Sequence, residues 1–300
     1  MTQADISFLR AGAPRIAAVR PANASRPVPV EGERRLARVQ PAAVRRRGPP
    51  RLLRRASGPV LLVLAWHLAS VFGLLPAEVL AGPATVVGSA GDLIASGELQ
   101  AAILASLGRV VAGLAIGGTI GVGLALVSGL SRIGEDLIDS VVQMLRTIPA
   151  IALIPLLIIW FGIGEQPKIA LIALATAFPL YLNVYAGIRN VDQSLVEAAR
   201  TLGLRRAGLI GHVILPGAMP GALVGLRYSL AVAWLALVFG EQINATAGIG
   251  YLMNNAREFF QTDVIVVCLA IYALLGLAVD AVVRLLERVL LAWRPAFSGA

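Results

Sequence analysis

The chain has 300 residues, of which 57% are hydrophobic and only 14% charged, and its mean hydropathy is +0.79. Soluble proteins carry roughly 25% charged residues, so a soluble globular protein is excluded and an integral membrane protein is predicted. A single cysteine, Cys268, and two histidines, His67 and His212, exclude an internal disulfide framework and leave too little for a Cys- or His-built metal centre.

The net charge of +9 is concentrated at the start of the chain. Residues 1–57 hold 13 Arg against Asp5, Glu31 and Glu33, a net of +10, and the remainder sums to −1. This stretch is rich in Arg, Pro and Ala without an apolar period, which predicts a disordered cytoplasmic tail drawn to anionic lipid headgroups. It lacks the apolar core of a cleavable signal peptide, and the segment from Pro59 to Pro76 is long enough to remain as an anchor.

Crossing about 30 Å of hydrocarbon takes about 20 helical residues. Six stretches qualify, near 59–76, 102–128, 137–160, 169–188, 217–240 and 263–283, which predicts an all-α polytopic fold of about six transmembrane helices. The membrane-spanning body then runs over 58–295, with a short C-terminal tail at 296–300. With the N-terminus inside, the inner segments hold 21 of the 26 basic residues and the outer ones only Lys168 and Arg257, while Arg109, Arg146 and Arg227 fall within spans. Without the tail the bias is still eight to two, so both termini are expected in the cytoplasm.

The second span carries Gly113, Gly117 and Gly121 at four-residue spacing, with Gly118 and Ala125 beside them. Such a row lets another helix approach closely and reads as packing. The Gly-X-Gly triplets at 121–123, 162–164 and 248–250 lack the third glycine and acidic partner of a dinucleotide fingerprint. In the third span Pro149 and Pro155 interrupt hydrogen bonding and permit bending.

The inner segment 189–216 is long and patterned. Leu195, Ala198, Ala199 and Leu202 form one apolar stripe on a helix. Ser194 and Glu197 have capping-box spacing, Asp192 offers a second cap, and Gly203 stands where a left-handed C-terminal residue is expected. Leu204 to Leu215 can form a second short helix before Pro216 marks the return into the membrane. On physics alone the hairpin could lie on the lipid surface, helped by Arg200, Arg205 and Arg206, or dock a protein.

Glu197-Ala198-Ala199, then Gly203 and Val213-Ile214-Leu215-Pro216, resemble the EAA loop of permease subunits of ATP-binding-cassette importers, with Val213 at a position that is usually Ile. Ser96-Gly97-Glu98-Leu99, Ser106-Leu107-Gly108-Arg109-Val110, Leu145-Arg146-Thr147-Ile148-Pro149, Ile154-Pro155-Leu156, Phe161-Gly162-Ile163-Gly164-Glu165 and Gly248-Ile249-Gly250-Tyr251 resemble the aliphatic-sulfonate, taurine and nitrate branch. The resemblance covers roughly 58–295. It implies a multi-pass inner-membrane protein that works with two cytoplasmic ATPase subunits, an extracytoplasmic solute-binding protein and a second permease copy, in a homodimer surrounded by lipid and without nucleic acid. It also implies that Glu197, Ala198, Ala199, Leu202, Gly203 and Pro216 couple the permease to the ATPase. The solute it implies first is an aliphatic sulfonate, with taurine, nitrate and heterocyclic vitamin precursors open.

A chain that hydrolysed ATP would need Gly-Lys followed by Ser or Thr, yet the only lysine, Lys168, is followed by Ile169. No cofactor is therefore expected in this chain, and ATP and Mg belong to the partner ATPase. A gradient-driven carrier would place carboxylates deep in the membrane, and no chain of them appears. Nor does a cluster of catalytic polar residues that a membrane-embedded enzyme would need. Three charged residues are candidates for the solute path: Arg146, Arg227 and Glu241. A translocated anion could satisfy the arginines, as could an internal carboxylate. Glu241, Asn244 and Thr246 could instead meet the binding protein, and Asp280 with Arg284 has the spacing of a helix-surface pair.

Overall fold

A computed structural model describes residues 51–293 apart from 77 and 244, with side chains from residue 57 onward. The C-terminal tail at 296–300, Asn244 and nearly all of the Arg-rich tail over 1–57 lie outside the described residues. Those described are helical, with no strand among them. In chain order the helices are α1 (Arg51–Val71), α2 (Pro83–Ala95), α3 (Glu98–Leu130), α4 (Arg132–Leu145), α5 (Ala150–Phe161), α6 (Glu165–Arg189), α7 (Gln193–Thr201), α8 (Arg206–Gln242), α9 (Ile249–Glu258) and α10 (Thr262–Leu290).

Four of these, α3, α6, α8 and α10, are long and apolar enough to cross a membrane uninterrupted. The span expected over 137–160 is broken: α4 and α5 meet at a bend of 86°. The break falls at Pro149, whose extended backbone (ψ 122°) separates the two pieces. Pro155 sits in the first turn of the second α-helical piece, where a missing N–H costs nothing, and so does not kink it. The apolar part of α1, Ser57–Val71, is shorter than the roughly 20 residues of a perpendicular crossing. Of the six expected spans, four are therefore continuous, one is bent and one is short. The expected connectors 77–101 and 241–262 each contain a helix, α2 and α9.

The centre of the bundle is α6, gripped by α3 and α8. On α3, the row Gly113, Gly117 and Gly121 is buried. A Cβ at Gly117 would run into the carbonyl oxygen of Ala173, and one at Gly121 into that of Ala177. On the other side, Gly221 and Gly225 of α8 meet the backbone of α6 near Asn183 and Pro179. Ser229 Oγ of α8 donates to Thr176 O at 2.8 Å, and Thr176 Oγ1 donates back within its own helix to Ile172 O at 2.9 Å, so these buried hydroxyls are satisfied. The α4 segment contains a π turn at Glu135–Asp139. Two of its carboxylates, Glu135 and Asp139, accept from Tyr185 (2.6 Å) and Tyr181 (3.0 Å), two stacked rings one turn apart on α6.

A substitution series separates contact from propensity. Gly117→Ala is expected to lower the thermal stability of the detergent-solubilised protein by about 1–3 kcal/mol through overpacking. Gly123→Ala, where a new Cβ meets nothing within 4 Å, is expected to leave it unchanged or raise it.

Candidate functional site

The helix α7 and the first turns of α8 form a projecting hairpin at one end of the bundle. Asp192 Oδ1 accepts from the backbone N–H of Ser194 at 2.9 Å, so Asp192 is the N-cap and the alternative cap at Ser194 is not used. That N–H holds the Asp192 carboxyl below its ordinary value. Its capping contribution is therefore present above the ordinary carboxylate pKa and is lost as pH falls through the lowered one. At the other end Gly203 has φ +83°, the Gly203 N–H donates to Arg200 O and the Leu204 N–H to Ala199 O, a left-handed stop that an L side chain would strain.

The predicted stripe is divided between two faces. Val196 and Ala199 are buried against Leu209, with Leu204, Val213 and Ile214 around them. Leu195, Ala198 and Leu202 face outward with Glu197, and Leu202 is 81% exposed. Val196 lies off the stripe of Leu195, Ala198, Ala199 and Leu202, so that pattern does not reveal its anchoring role. No separate second short helix forms: Arg206 begins a continuous helix that runs to Gln242. Pro216 lies just after a π turn at Ile210–Ile214, where a widened helix accommodates the missing N–H.

Of the three charged candidates for the solute path, Arg146 is exposed at the α4–α5 break, where its backbone N–H donates to Val142 O and its guanidinium has no hydrogen-bond or ion-pair partner among the described residues. Arg227 is engaged by Glu287 at 2.9 Å and Asp280 at 3.6 Å on α10, and Asp280 also pairs with Arg284. Glu241 is buried. Its carboxylate accepts from Arg109 Nη1, from Ser106 Oγ at 2.7 and 2.9 Å and from the Gly250 N–H at 2.8 Å. Arg109 continues the cluster, donating from Nε and Nη2 to Glu165, which also accepts from Lys168 at 3.1 Å, and from Nη1 to Ala247 O at 2.7 Å. The Ile249 N–H donates to Ser106 Oγ at 2.9 Å.

Residues 117–291 match the family described as binding-protein-dependent transport system inner membrane component. The chain belongs to this family. It is 52% identical over 239 residues to the putative aliphatic sulfonates transport permease protein SsuC of Escherichia coli (strain K12), covering 80% of this chain and 91% of that one. Identity is 41% over 241 residues to the corresponding SsuC of Bacillus subtilis (strain 168), with 80% and 87% covered. It is 37% over 240 residues to the taurine transport system permease protein TauC of Escherichia coli (strain K12), with 78% and 86% covered. The fold is similar to that of an amino acid ABC transporter, with TM-score 0.54 and 20% identity over 66% of this chain and 96% of that chain. It is similar also to a chain of the inward-facing MetNI methionine ABC transporter, with TM-score 0.51 and 21% identity over 62% and 94%.

In this transport permease the Arg109 cluster is a structural hub rather than an isolated pair. Four elements meet there: Ser106 and Arg109 come from α3, Glu165 and Lys168 from α6, Glu241 from α8, and the backbone of 247–250 from the entry to α9. Gly248 adopts φ +116°, and a Cβ there or at Gly250 would collide with the Glu241 side chain. The loop can thus lie directly on the buried charges and satisfy them with its own backbone. In the sequence Arg109 stands out as a basic residue within a span and as part of the Ser106–Val110 motif, without its partners. The available signal was depth, because Arg109, Glu165 and Glu241 all stand near the same ends of their spans.

Breaking this pair leaves a buried charge, which typically costs about 3–5 kcal/mol. Arg109→Met is accordingly expected to lower folded yield and thermal stability sharply, and the double variant Arg109→Met/Glu241→Met to recover part of the loss. A purely additive double variant would show that the two side chains act independently.

Proposed function

We propose that this permease forms one half of the membrane passage of an ATP-driven importer for a small anionic organic solute, aliphatic sulfonate first. The observation that carries the coupling is the outward face of α7. Leu195, Ala198, Glu197 and Leu202 project from a short helix whose other face is anchored in the bundle, with a left-handed stop at Gly203. An exposed apolar face on a rigidly anchored helix is suited to a groove in another protein. We assign that protein as a cytoplasmic ATPase, with Glu197 as the charged contact and Ala198, Ala199, Leu202, Gly203 and Pro216 shaping the hairpin.

The solute class is carried over from the sulfonate and taurine permeases to which the chain is 52% and 37% identical. Taurine, nitrate and vitamin precursors are the alternatives within the same transport type. Arg146 supplies a cation where the α4–α5 break opens the helix, and its unpaired guanidinium is suited to bidentate contact with an anionic oxygen group. The internal partners of Arg227 and Glu241 favour structural roles for both. A second permease copy completes the passage, an extracytoplasmic binding protein delivers the solute, and both termini lie in the cytoplasm. ATP binding draws the two ATPases together, α7 transmits the movement, and the passage alternates between outward and inward openings.

Glu197→Arg and Gly203→Val are each expected to abolish solute uptake and ATPase co-purification from gentle detergent while the permease still inserts. Normal coupling in both variants would refute the docking role. Arg146→Gln is expected to reduce sulfonate uptake about ten-fold, the equivalent of one charge-assisted hydrogen bond, with ATPase association unchanged. Equal uptake by this variant and wild type in vesicles would remove Arg146 from the path.

A further inference from the structure

Beside the hairpin lies a cleft of about 690 Å³ whose charged lining is entirely basic: Arg132, Arg189, Arg200 and Arg206. Its volume falls within the roughly 300–1,000 Å³ of small-ligand pockets. Arg189 is partly neutralised by Glu135 at 3.4 Å, and Arg206 Nη2 donates to the Leu130 carbonyl at 3.4 Å. Arg132 and Arg200 have no ion-pair partner among the described residues. Below the arginines the floor is apolar, formed by Leu130, Ile188, Val196, Leu209 and others.

The position of the cleft narrows its ligand. Leu130 ends α3 and Arg189 ends α6, each at the inner end of its expected span, while Arg206 begins α8 ten residues before Pro216, so the basic rim starts at the inner ends of two spans and continues along the hairpin. On α7 the cleft is lined by Gln193, Val196 and Arg200, which recur at i, i+3 and i+7 on one face. Leu195, Ala198 and Leu202 lie on the opposite side of that helix, and Glu197, three residues before Arg200, stands at the edge between the faces. A protein docked on the outward face therefore leaves the cleft open to lipid. Arginine forks match phosphate oxygens bidentately, and basic pockets between helices on the cytoplasmic side take acidic phospholipid headgroups.

We propose that this cleft is a binding site for an anionic phospholipid, the phosphate held by Arg132 and Arg200 with Arg189 and Arg206 flanking it and the glycerol and upper acyl carbons on the apolar floor. The inference rests on the cytoplasmic orientation assigned above. A lipid seated there ties the base of α7 to the ends of α3 and α6, making the rigidity of the hairpin dependent on the surrounding leaflet.

The test uses the full-length permease purified in gentle detergent and delipidated, titrated separately with cardiolipin, phosphatidylglycerol, phosphatidylcholine and inorganic phosphate. Lipid retention is read by native mass spectrometry and thermal stability alongside it, with ATPase co-purification measured on the same preparations. Retention and stabilisation by the two anionic lipids are expected, with neither phosphatidylcholine nor inorganic phosphate reproducing them. Arg132→Gln/Arg200→Gln is expected to weaken apparent lipid affinity about thirty-fold, at the per-residue strength of surface arginines, whereas Arg257→Gln on α9 retains it. Equal stabilisation by inorganic phosphate would make the cleft a site for a free anion. Equal retention of phosphatidylcholine, or undiminished retention in the double variant, would remove the lipid site. A double variant that keeps its lipid but loses the ATPase would reassign the arginines to the protein partner. Since lipid retention is read without transport, failure of the importer reading leaves this outcome separately visible.

Discussion

Close contact between backbones at α6 is the constraint on which the rest of the fold is built. In hydrocarbon, apolar side chains gain little by leaving lipid for one another, so association depends on packing and on polar groups that find partners. The glycines of α3 on one side and of α8 on the other bring whole helices against α6 at distances that any β-carbon would increase. Once those two contacts are made, the small hydroxyls of Thr176 and Ser229 reach main-chain oxygens in the tight seam. The stacked tyrosines of α6 are likewise placed to receive the carboxylates of the π turn in α4.

At the end of the bundle away from α7, the same packing makes a buried charge cluster tolerable. An isolated guanidinium in the membrane is expensive, but Arg109 is surrounded by Glu165, Glu241 and a backbone carbonyl. Glu241 in turn accepts from a hydroxyl and a backbone N–H. The cluster replaces hydration with fixed partners and, in doing so, fixes the approach to α9. Polar residues gathered near a possible path thus have two distinct fates. Those with complete internal partnerships hold the scaffold together, and those such as Arg146 are left available to something outside it.

The sequence made the all-α membrane fold legible through composition, and it marked the α7 hairpin through the EAA pattern, Asp192 and Gly203. It made the glycine row legible as packing, because spacing alone states which face is bare. Three things were harder to see. The bend at Pro149 divides a stretch whose hydropathy is unbroken, and hydropathy does not register direction. The helices α2 and α9 fall in segments between spans, where the scan for long apolar runs is silent. The hydrogen bonds of the Arg109 cluster join residues separated by up to 143 positions, and only their shared depth at one end of several spans connects them beforehand. Within the hairpin, Leu195, Ala198, Ala199 and Leu202 read as one apolar stripe, yet the fold turns Leu195 and Leu202 outward, buries Ala199 and anchors the helix through Val196.

The continuous helix α8 links the two ends. Its 37 residues extend about 55 Å at 1.5 Å per residue, well beyond the hydrocarbon thickness, so one rod carries the base of the α7 hairpin at Arg206 and the buried Glu241 near its far terminus. Between them, Gly221 and Gly225 rest against α6. A rod held near its middle behaves as a lever: tilting one end swings the other the opposite way. The π turn at Ile210–Ile214 and Pro220 interrupt the regular α-helical hydrogen bonding between the hairpin and that fulcrum, so a push at the hairpin passes through both before it reaches the charge cluster.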